Sequence, residues 1–223
     1  MIITIDGPAG TGKSTVAQTV AHELGFDFLD TGAMYRAIGL AAIRRHANLQ
    51  DAREISYIAK LAKITFDFSV HPPAIFLNGE PVAHLLRAGD TTSAASSVAV
   101  VPTVREILVR QQQEIGASRP NLVTEGRDQG TVVFPHAELK FYLDATPAER
   151  ARRRANQLRS RGEVVDLARL QTQITDRDTR DAKRAVGPLA IPKDSHVIDT
   201  TTLSLREVVD QIVTRARQHR AEK

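Results

Sequence analysis

A glycine-rich stretch close to the amino terminus constrains this chain more than any other feature. Its sequence fits the spacing G-x-x-x-x-G-K-[ST], with the fixed positions at Gly7, Gly12, Lys13 and Ser14. The apolar, β-branched run at residues 2–6 before it is typical of a buried parallel strand. After Lys13, apolar residues recur every four positions, and they predict a helix that ends near Gly25.

A strand, a glycine loop and a helix in this order predict a site for the phosphates of a nucleoside triphosphate. Backbone N–H groups of such a loop surround the phosphates, and the positive end of the helix dipole lies behind them. Lys13 would reach the β- and γ-phosphates, and the Ser14 hydroxyl would bind Mg²⁺. The alternative is a turn that only joins a strand to a helix, and the Lys-Ser pair disfavours it. The predicted nucleotide-binding residues are Gly7, Pro8, Ala9, Gly10, Thr11, Gly12, Lys13, Ser14 and Thr15.

Length and composition exclude several other classes of protein. A chain of 223 residues with 42% hydrophobic and 25% charged residues can form one globular α/β domain with insertions. The absence of cysteine excludes disulfides, thiolate metal sites and cysteine nucleophiles. The sequence has no apolar run of membrane-spanning length, and a strand follows Met1 directly. We therefore expect a cytoplasmic chain without a signal peptide or a membrane partner.

Positive charge is concentrated in one region. Residues 147–184 contain 11 Lys or Arg and six Asp or Glu, a net +5, whereas the whole chain carries +4. A basic excess can indicate nucleic acid. Here aromatic residues are only 4%, Trp is absent, and the arginines alternate with carboxylates. This pattern favours a small anionic ligand and no nucleic acid as partner.

Five strand-like segments alternate with helical ones, which predicts an α/β fold with a five-stranded parallel sheet. The predicted core strands are residues 2–6, 26–30, 121–125, 138–144 and 195–199. Period-two patterns at 64–68 and 74–77, followed by Asn78-Gly79, predict a small antiparallel hairpin inserted at about 60–90. Helices are predicted at 33–46, from 51, at 93–101 and 104–116, after 146, at 166–184 and after 204, with residues 218–223 frayed.

A candidate second site is spread over several segments. Residues 30–36 place a hydroxyl, a phenol and a guanidinium at a helix start. Residues 125–130 follow a core strand, at the sheet edge where α/β proteins bind ligands. Glu125 resembles the acid that reaches Mg²⁺ through water in proteins with such a loop. Helix caps and an ordinary turn are the alternatives for these residues.

The basic region contributes the rest of this candidate site. Arg177, Asp181 and Arg184 are spaced 0, 4 and 7, which predicts one helical stripe that suits a phosphate and a ribose diol. Arg150 and Arg154 lie on the preceding predicted helix, and the two helices could form a lid that excludes water. A solvated salt-bridge ladder is the alternative.

Together these segments resemble the bacterial cytidylate (CMP) kinases over essentially the whole chain. The resembling motifs are IDGPAGTGKS at 5–14, LDTGAMYR at 29–36, AASSVA at 94–99 with Pro102 and Val104-Arg105, GRDQGTVVFP at 126–135, and Arg177-Asp178 through Arg184-Ala185-Val186. The family also has a small β-rich insertion, which matches the predicted hairpin. Glu125, Gln129 and His136 depart from the family pattern, which usually has Asp, an aliphatic residue and Asp there.

The resemblance implies a single P-loop kinase domain that uses ATP and Mg²⁺ to phosphorylate CMP and dCMP, as a monomer. Its core would comprise about 1–32, 93–146 and 185–223, its nucleoside-monophosphate-binding region 33–92, and its lid 147–184. The alternatives are another P-loop kinase, for UMP, AMP or shikimate, a nucleic-acid-dependent ATPase, and a regulatory GTPase. The [NT]-K-x-D motif that would support a GTPase is absent.

The same resemblance assigns roles to individual residues. Arg36, Arg127 and Arg184 would hold the acceptor phosphate. Thr31, Arg105 and Asp128 would read the cytosine, with Tyr35 lining its pocket, and Ser96, Arg177 and Asp181 would hold the ribose. The implied catalytic residues are Lys13, Arg127, Arg154 and Arg184, and the implied metal ligands are Ser14 and, through water, Glu125.

Overall fold

Five parallel strands form the centre of the molecule in the computed structural model, which describes residues 1–222. In chain order, the amino-terminal elements are β1 (Ile2–Asp6), α1 (Lys13–Leu24), β2 (Asp27–Asp30), α2 (Thr31–Arg44), α3 (Ala52–Leu61), β3 (Ile64–Asp67), β4 (Ala74–Leu77) and β5 (Glu80–Pro81). They are followed by α4 (Gly89–Val98), α5 (Pro102–Ala117), β6 (Leu122–Glu125), a π-helix (Gln129–Val133), β7 (Leu139–Asp144), α6 (Pro147–Arg159), α7 (Leu167–Ala182), β8 (His196–Asp199) and α8 (Leu205–Ala221).

The main sheet has the order β2-β6-β1-β7-β8, and every neighbouring pair is parallel. Helices α1 and α8 pack their apolar stripes on one side of it, and α2, α3 and α5 belong to a second apolar cluster. The predicted α/β fold with five parallel strands is therefore confirmed. Because all strands point the same way, their carboxyl ends meet at one edge, where the glycine loop also lies.

A second, antiparallel sheet has the order β3-β4-β5. Asn78 and Gly79 connect β4 to β5 with φ values of 53° and 86°, the positive values that a tight hairpin turn requires. Arg44 at the end of α2 donates to both carboxylate oxygens of Glu80 at 2.7 and 2.8 Å, which joins this sheet to the helices. The predicted hairpin is thus present, with a short third strand that was not predicted.

Some predicted helix limits are wrong. Helix α8 continues to Ala221, so the predicted fraying of 218–221 does not occur; Ala216 is buried, and the Arg220 guanidinium lies 4.8 Å from the centre of the Phe26 ring. Helix α4 begins at Gly89, four residues earlier than predicted, and the π-helix was missed. Within residues 1–222, every helix is too short or too polar to cross a membrane.

Helices α2 and α4 approach closely at Gly39. A Cβ atom there would lie 2.9 Å from the Ala95 backbone nitrogen and 3.1 Å from Ala94 Cβ. We expect Gly39→Val to lower the free energy of unfolding by about 1–3 kcal/mol in urea denaturation, because the backbone of α4 would have to move. Gly89→Ala is the control, since nothing lies within 4 Å of its added Cβ. Equal stability of Gly39→Val and the unmodified chain would contradict this packing.

Candidate functional site

The glycine loop between β1 and α1 lies against the end of β7. Gly7 has a φ of 145°, and a Cβ atom there would lie 2.0 Å from the Leu143 carbonyl oxygen. Only glycine permits this approach. The loop therefore begins at the carboxyl edge of the main sheet and leads into α1 at Lys13, where the amino-terminal end of the helix favours an anion.

Lys13 folds back over the loop from which it comes. Its Nζ donates to the Pro8 carbonyl oxygen at 2.7 Å, and the side chain is buried. Burial, together with the nearby charge of Arg127, lowers the pKa of Lys13 to about 7, although Glu125 opposes this shift. An added negative charge at this point would favour the protonated form.

Ser14 and Glu125 are joined by a hydrogen bond. The Ser14 hydroxyl donates to Glu125 Oε1 at 2.8 Å, so the glutamate at this position reaches the loop. Burial, together with the charge of Asp30, raises the pKa of Glu125. A hydroxyl and a carboxylate are oxygen donors of the kind that Mg²⁺ prefers. In residues 1–222, no group of three or more His, Asp or Glu side chains could hold a metal ion by itself.

Each of the five core strands ends in an acidic residue, and the first of these was missed as a site residue. Both carboxylate oxygens of Asp6 accept backbone hydrogen bonds, from Gln129 N at 2.9 Å and from Gly130 N at 2.7 Å. Burial raises the pKa of Asp6 to about 7, although these two bonds lower it. Asp6 thereby fixes the π-helix to the strand that carries the glycine loop. Its position at the end of a buried strand, directly before Gly7, was the available signal.

Three of the residues assigned to a base, Arg105, Asp128 and Tyr35, lie together at the start of this π-helix. Arg105 and Asp128 form an ion pair in which both side chains are buried. The Arg105 guanidinium lies 5.5 Å from the centre of the Tyr35 ring. Thr31 is buried as well, and its hydroxyl donates to the Glu125 carbonyl oxygen at 2.7 Å.

Gly187 covers this ion pair and was also missed. Its φ is 58°, and a Cβ atom there would lie 2.1 Å from Asp128 Oδ2 and 2.4 Å from Arg105 Nη2. Any other residue would displace the pair or the loop after α7. The sequence offered only the glycine itself as a signal.

The three arginines assigned to a phosphate are each held by a carboxylate. Arg36 Nη2 is 2.7 Å from Asp30 Oδ2, Arg127 Nε is 3.0 Å from Asp181 Oδ2, and Arg184 Nη1 is 3.8 Å from Asp181 Oδ1. Burial opposes ionisation of Asp181, but the surrounding Arg127, Arg184 and Arg177 hold its pKa below the usual range. Asp181 therefore links Arg127 and Arg184 in one network of alternating charge, and Asp30 and Arg36 form a second pair.

The predicted helical stripe of Arg177, Asp181 and Arg184 needs one correction. Helix α7 ends at Ala182, so Arg184 lies in the following turn and is not on the stripe. Its Nε donates back to the Asp181 carbonyl oxygen at 3.2 Å. The turn, and not helical spacing, brings Arg184 to the network.

Four guanidinium nitrogens of these residues are buried and, within the described chain, lack a hydrogen-bond partner: Arg36 Nε, Arg105 Nε, Arg177 Nε and Arg184 Nη2. Buried donors of this kind are rare in proteins unless a ligand or water satisfies them. The arrangement suits a ligand that brings several acceptor oxygens, such as a phosphate ester.

Two of the predicted residues lie at the border of the network. Ser96 is half-buried on α4. Arg154 is half-buried on α6, where its Nη1 donates to Gln157 Oε1 at 3.3 Å. Burial lowers the pKa of Arg154, and Arg161 and Arg36 lower it further. Neither residue makes a hydrogen bond to the other predicted site residues in the described structure.

Three comparisons relate this chain to known proteins. The family model described as cytidylate kinase matches residues 3–218. A cytidylate kinase from Pelotomaculum thermopropionicum is 45% identical over 221 residues, covering 99% of this chain and 97% of that protein. One from Aeromonas salmonicida is 41% identical over 217 residues, covering 97% and 94%.

The fold also resembles that of a solved kinase. The crystal structure of a gluconokinase from Sinorhizobium meliloti matches 98% of this chain and 93% of its own, with a TM-score of 0.52 at 15% identity. This likeness supports the P-loop kinase fold alone. From the family match and the curated relatives it follows that the chain is a kinase and belongs to the cytidylate kinase family.

Proposed function

We propose that this chain transfers the γ-phosphoryl group of ATP to CMP or dCMP, which yields ADP and CDP or dCDP. The observation that favours cytosine as the base is the buried Arg105–Asp128 pair, which Gly187 covers. The Asp128 carboxylate would accept a hydrogen bond from the cytosine amino group and repel the corresponding carbonyl of uracil. Uracil and shikimate lack this amino group, so a UMP or shikimate kinase would not use the carboxylate in this way.

The donor nucleotide would bind along the glycine loop. Backbone N–H groups of residues 7–15 would surround the phosphates, and Lys13 would exchange its bond to Pro8 for phosphate oxygens. Ser14 and Glu125 would hold Mg²⁺, with Glu125 acting through water. When bound, this ion supplies positive charge that neutralises the phosphates.

The acceptor phosphate would bind Arg36, Arg127 and Arg184, which Asp30 and Asp181 already hold in place. An oxygen of that phosphate forms the new bond to the γ-phosphorus while the bond to the β–γ bridging oxygen breaks. The acceptor is itself the nucleophile, so the protein contributes position and charge. Arg154 on α6 would add positive charge as the lid, residues 147–184, closes.

The nucleoside would occupy the space between α2, α4 and α7. Thr31 and Tyr35 on α2 would border the base, together with the Arg105–Asp128 pair. Ser96, Arg177 and Asp181 would contact the ribose, and the unpartnered Arg177 Nε supports a polar contact there. Residues 33–92, which contain the small sheet, would form the wall of the acceptor site.

Asp128→Asn tests the proposed reading of the base. The change preserves size but removes the negative charge and adds an N–H₂ donor, which suits the uracil carbonyl. We expect the ratio of kcat/KM for CMP to that for UMP to fall by roughly tenfold or more, because a base contact of this type contributes about 1–3 kcal/mol. Glu106→Gln is the control, since it removes an exposed charge beside Arg105. An unchanged ratio in Asp128→Asn would remove Asp128 from base recognition.

The lowered pKa of Lys13 predicts that the protein takes up a proton when the nucleotide binds. With a pKa of about 7, the buried amine is largely neutral at about pH 8, and a bound triphosphate would raise its pKa again. Binding of ATP with Mg²⁺ at that pH should therefore take up a proton, and affinity should fall as the pH rises above about 7. Calorimetry in two buffers of different ionisation heat measures the uptake.

Lys13→Met should remove most of this proton uptake, whereas Lys60→Met, at an exposed position on α3, should retain it. Equal uptake in the Lys13→Met variant and the unmodified chain would show that another group binds the proton.

A further inference from the structure

A carboxylate from α7 is seated on the glycine loop. Asp178 Oδ1 accepts a hydrogen bond from the Ala9 backbone nitrogen at 3.2 Å. Its other oxygen forms an ion pair with Arg150 Nη1 on α6. The proposed reaction does not use either Asp178 or Arg150.

Arg150 is fixed by the core and not by Asp178 alone. Its Nε donates to the Ala145 carbonyl oxygen at 2.9 Å, and its Nη1 donates to the Ala9 carbonyl oxygen at 3.1 Å. Only 5% of the residue is exposed. This guanidinium therefore stays beside the glycine loop, whatever anion faces it.

The Ala9 N–H and the Arg150 guanidinium together form a site for an oxyanion. Loop N–H groups and arginine bind phosphate and carboxylate through the same geometry. The two carboxylate oxygens of Asp178, one on each donor, mark the positions of two oxygens of a phosphate. In the free protein, the Asp178 carboxylate occupies this site.

We infer that Arg150 is a further ligand for the phosphates of the donor nucleotide, and that Asp178 is an internal occupant that leaves when they bind. This inference rests on the proposed function, because it takes a triphosphate as the ligand of the loop. A carboxylate and a phosphate repel each other and cannot share one pair of donors. Occupation by Asp178 therefore competes with the nucleotide and weakens its binding.

The position of Asp178 in the helix links the two halves of the site. Asp181 is one turn further along α7 and holds Arg127 and Arg184. Displacement of Asp178 by the donor phosphates frees this part of α7 from the glycine loop. The acceptor arginines would then be released to their substrate only after the donor has bound.

Binding of inorganic tripolyphosphate with Mg²⁺ tests the inference without a base or an acceptor. Asp178→Asn removes the competing charge while preserving shape, and Asp176→Asn removes an exposed charge from the same helix. We expect Asp178→Asn to bind tripolyphosphate and ATP roughly tenfold more tightly in calorimetry, because a charged hydrogen bond no longer has to be broken. Asp176→Asn should bind like the unmodified chain.

Unchanged or weaker binding by Asp178→Asn would overturn the inference and make Asp178 a purely structural partner of Arg150. If Asp178→Asn does not fold, Arg150→Lys provides the second test. It preserves the charge but loses the planar fork, so we expect roughly tenfold weaker tripolyphosphate binding. Arg152→Lys, at an exposed position on α6, is its control. Equal binding by Arg150→Lys and Arg152→Lys would contradict the role of Arg150.

The binding assay also separates this inference from the proposed function. If the unmodified chain does not phosphorylate CMP but Asp178→Asn binds tripolyphosphate more tightly, the inference about Asp178 stands and the proposed acceptor is wrong. If the unmodified chain phosphorylates CMP but Asp178→Asn binds tripolyphosphate no more tightly, the proposed function stands and the inference about Asp178 is wrong.

Discussion

The two halves of the site depend on one buried carboxylate. Asp6 ends the central strand, and the chain continues from it into the glycine loop. Its two oxygens accept the N–H groups of Gln129 and Gly130, which fixes the segment that carries Arg127 and Asp128. A buried carboxylate without such partners would be strongly unfavourable, so these bonds determine a single geometry. The glycine loop and the Arg105–Asp128 pair, which we propose to read the base, are therefore held at a constant separation.

The remaining carboxylates have a different role, because most of them face arginines. Asp30, Asp128, Asp178 and Asp181 each form an ion pair with a buried or half-buried guanidinium. A site with this much positive charge is costly to assemble without an anion. Internal carboxylates reduce that cost in the free protein. In the proposed mechanism, a substrate phosphate replaces Asp178 at Arg150 and binds the arginines that Asp30 and Asp181 orient, whereas the Arg105–Asp128 pair stays intact to read the base.

The local patterns of the sequence predicted most of the fold. The strand, loop and helix at residues 2–24, the alternation of strands and helices, and the Asn78-Gly79 turn each depend on neighbouring residues alone. The family, too, could be inferred from motifs that lie in order along the chain. The role of Asp6 could not, because its bonds to Gln129 and Gly130 join residues more than a hundred positions apart. The end of α7 before Arg184 and the close approach of Gly187 to Asp128 likewise depend on tertiary contacts. The π-helix was missed although its own bonds are local, such as that from Phe134 N to the Gln129 carbonyl oxygen.

The most direct test of the account is the rate of ADP formation from ATP and Mg²⁺ by the unmodified chain with different acceptors. CMP, dCMP, UMP, AMP, GMP, shikimate and gluconate would be compared with no acceptor. We predict high rates with CMP and dCMP and low rates with the other acceptors, and the contrast with UMP follows from the proposed bond between Asp128 and the cytosine amino group. A higher rate of ADP formation with another acceptor, or the same rate with and without an acceptor, would contradict the proposed function.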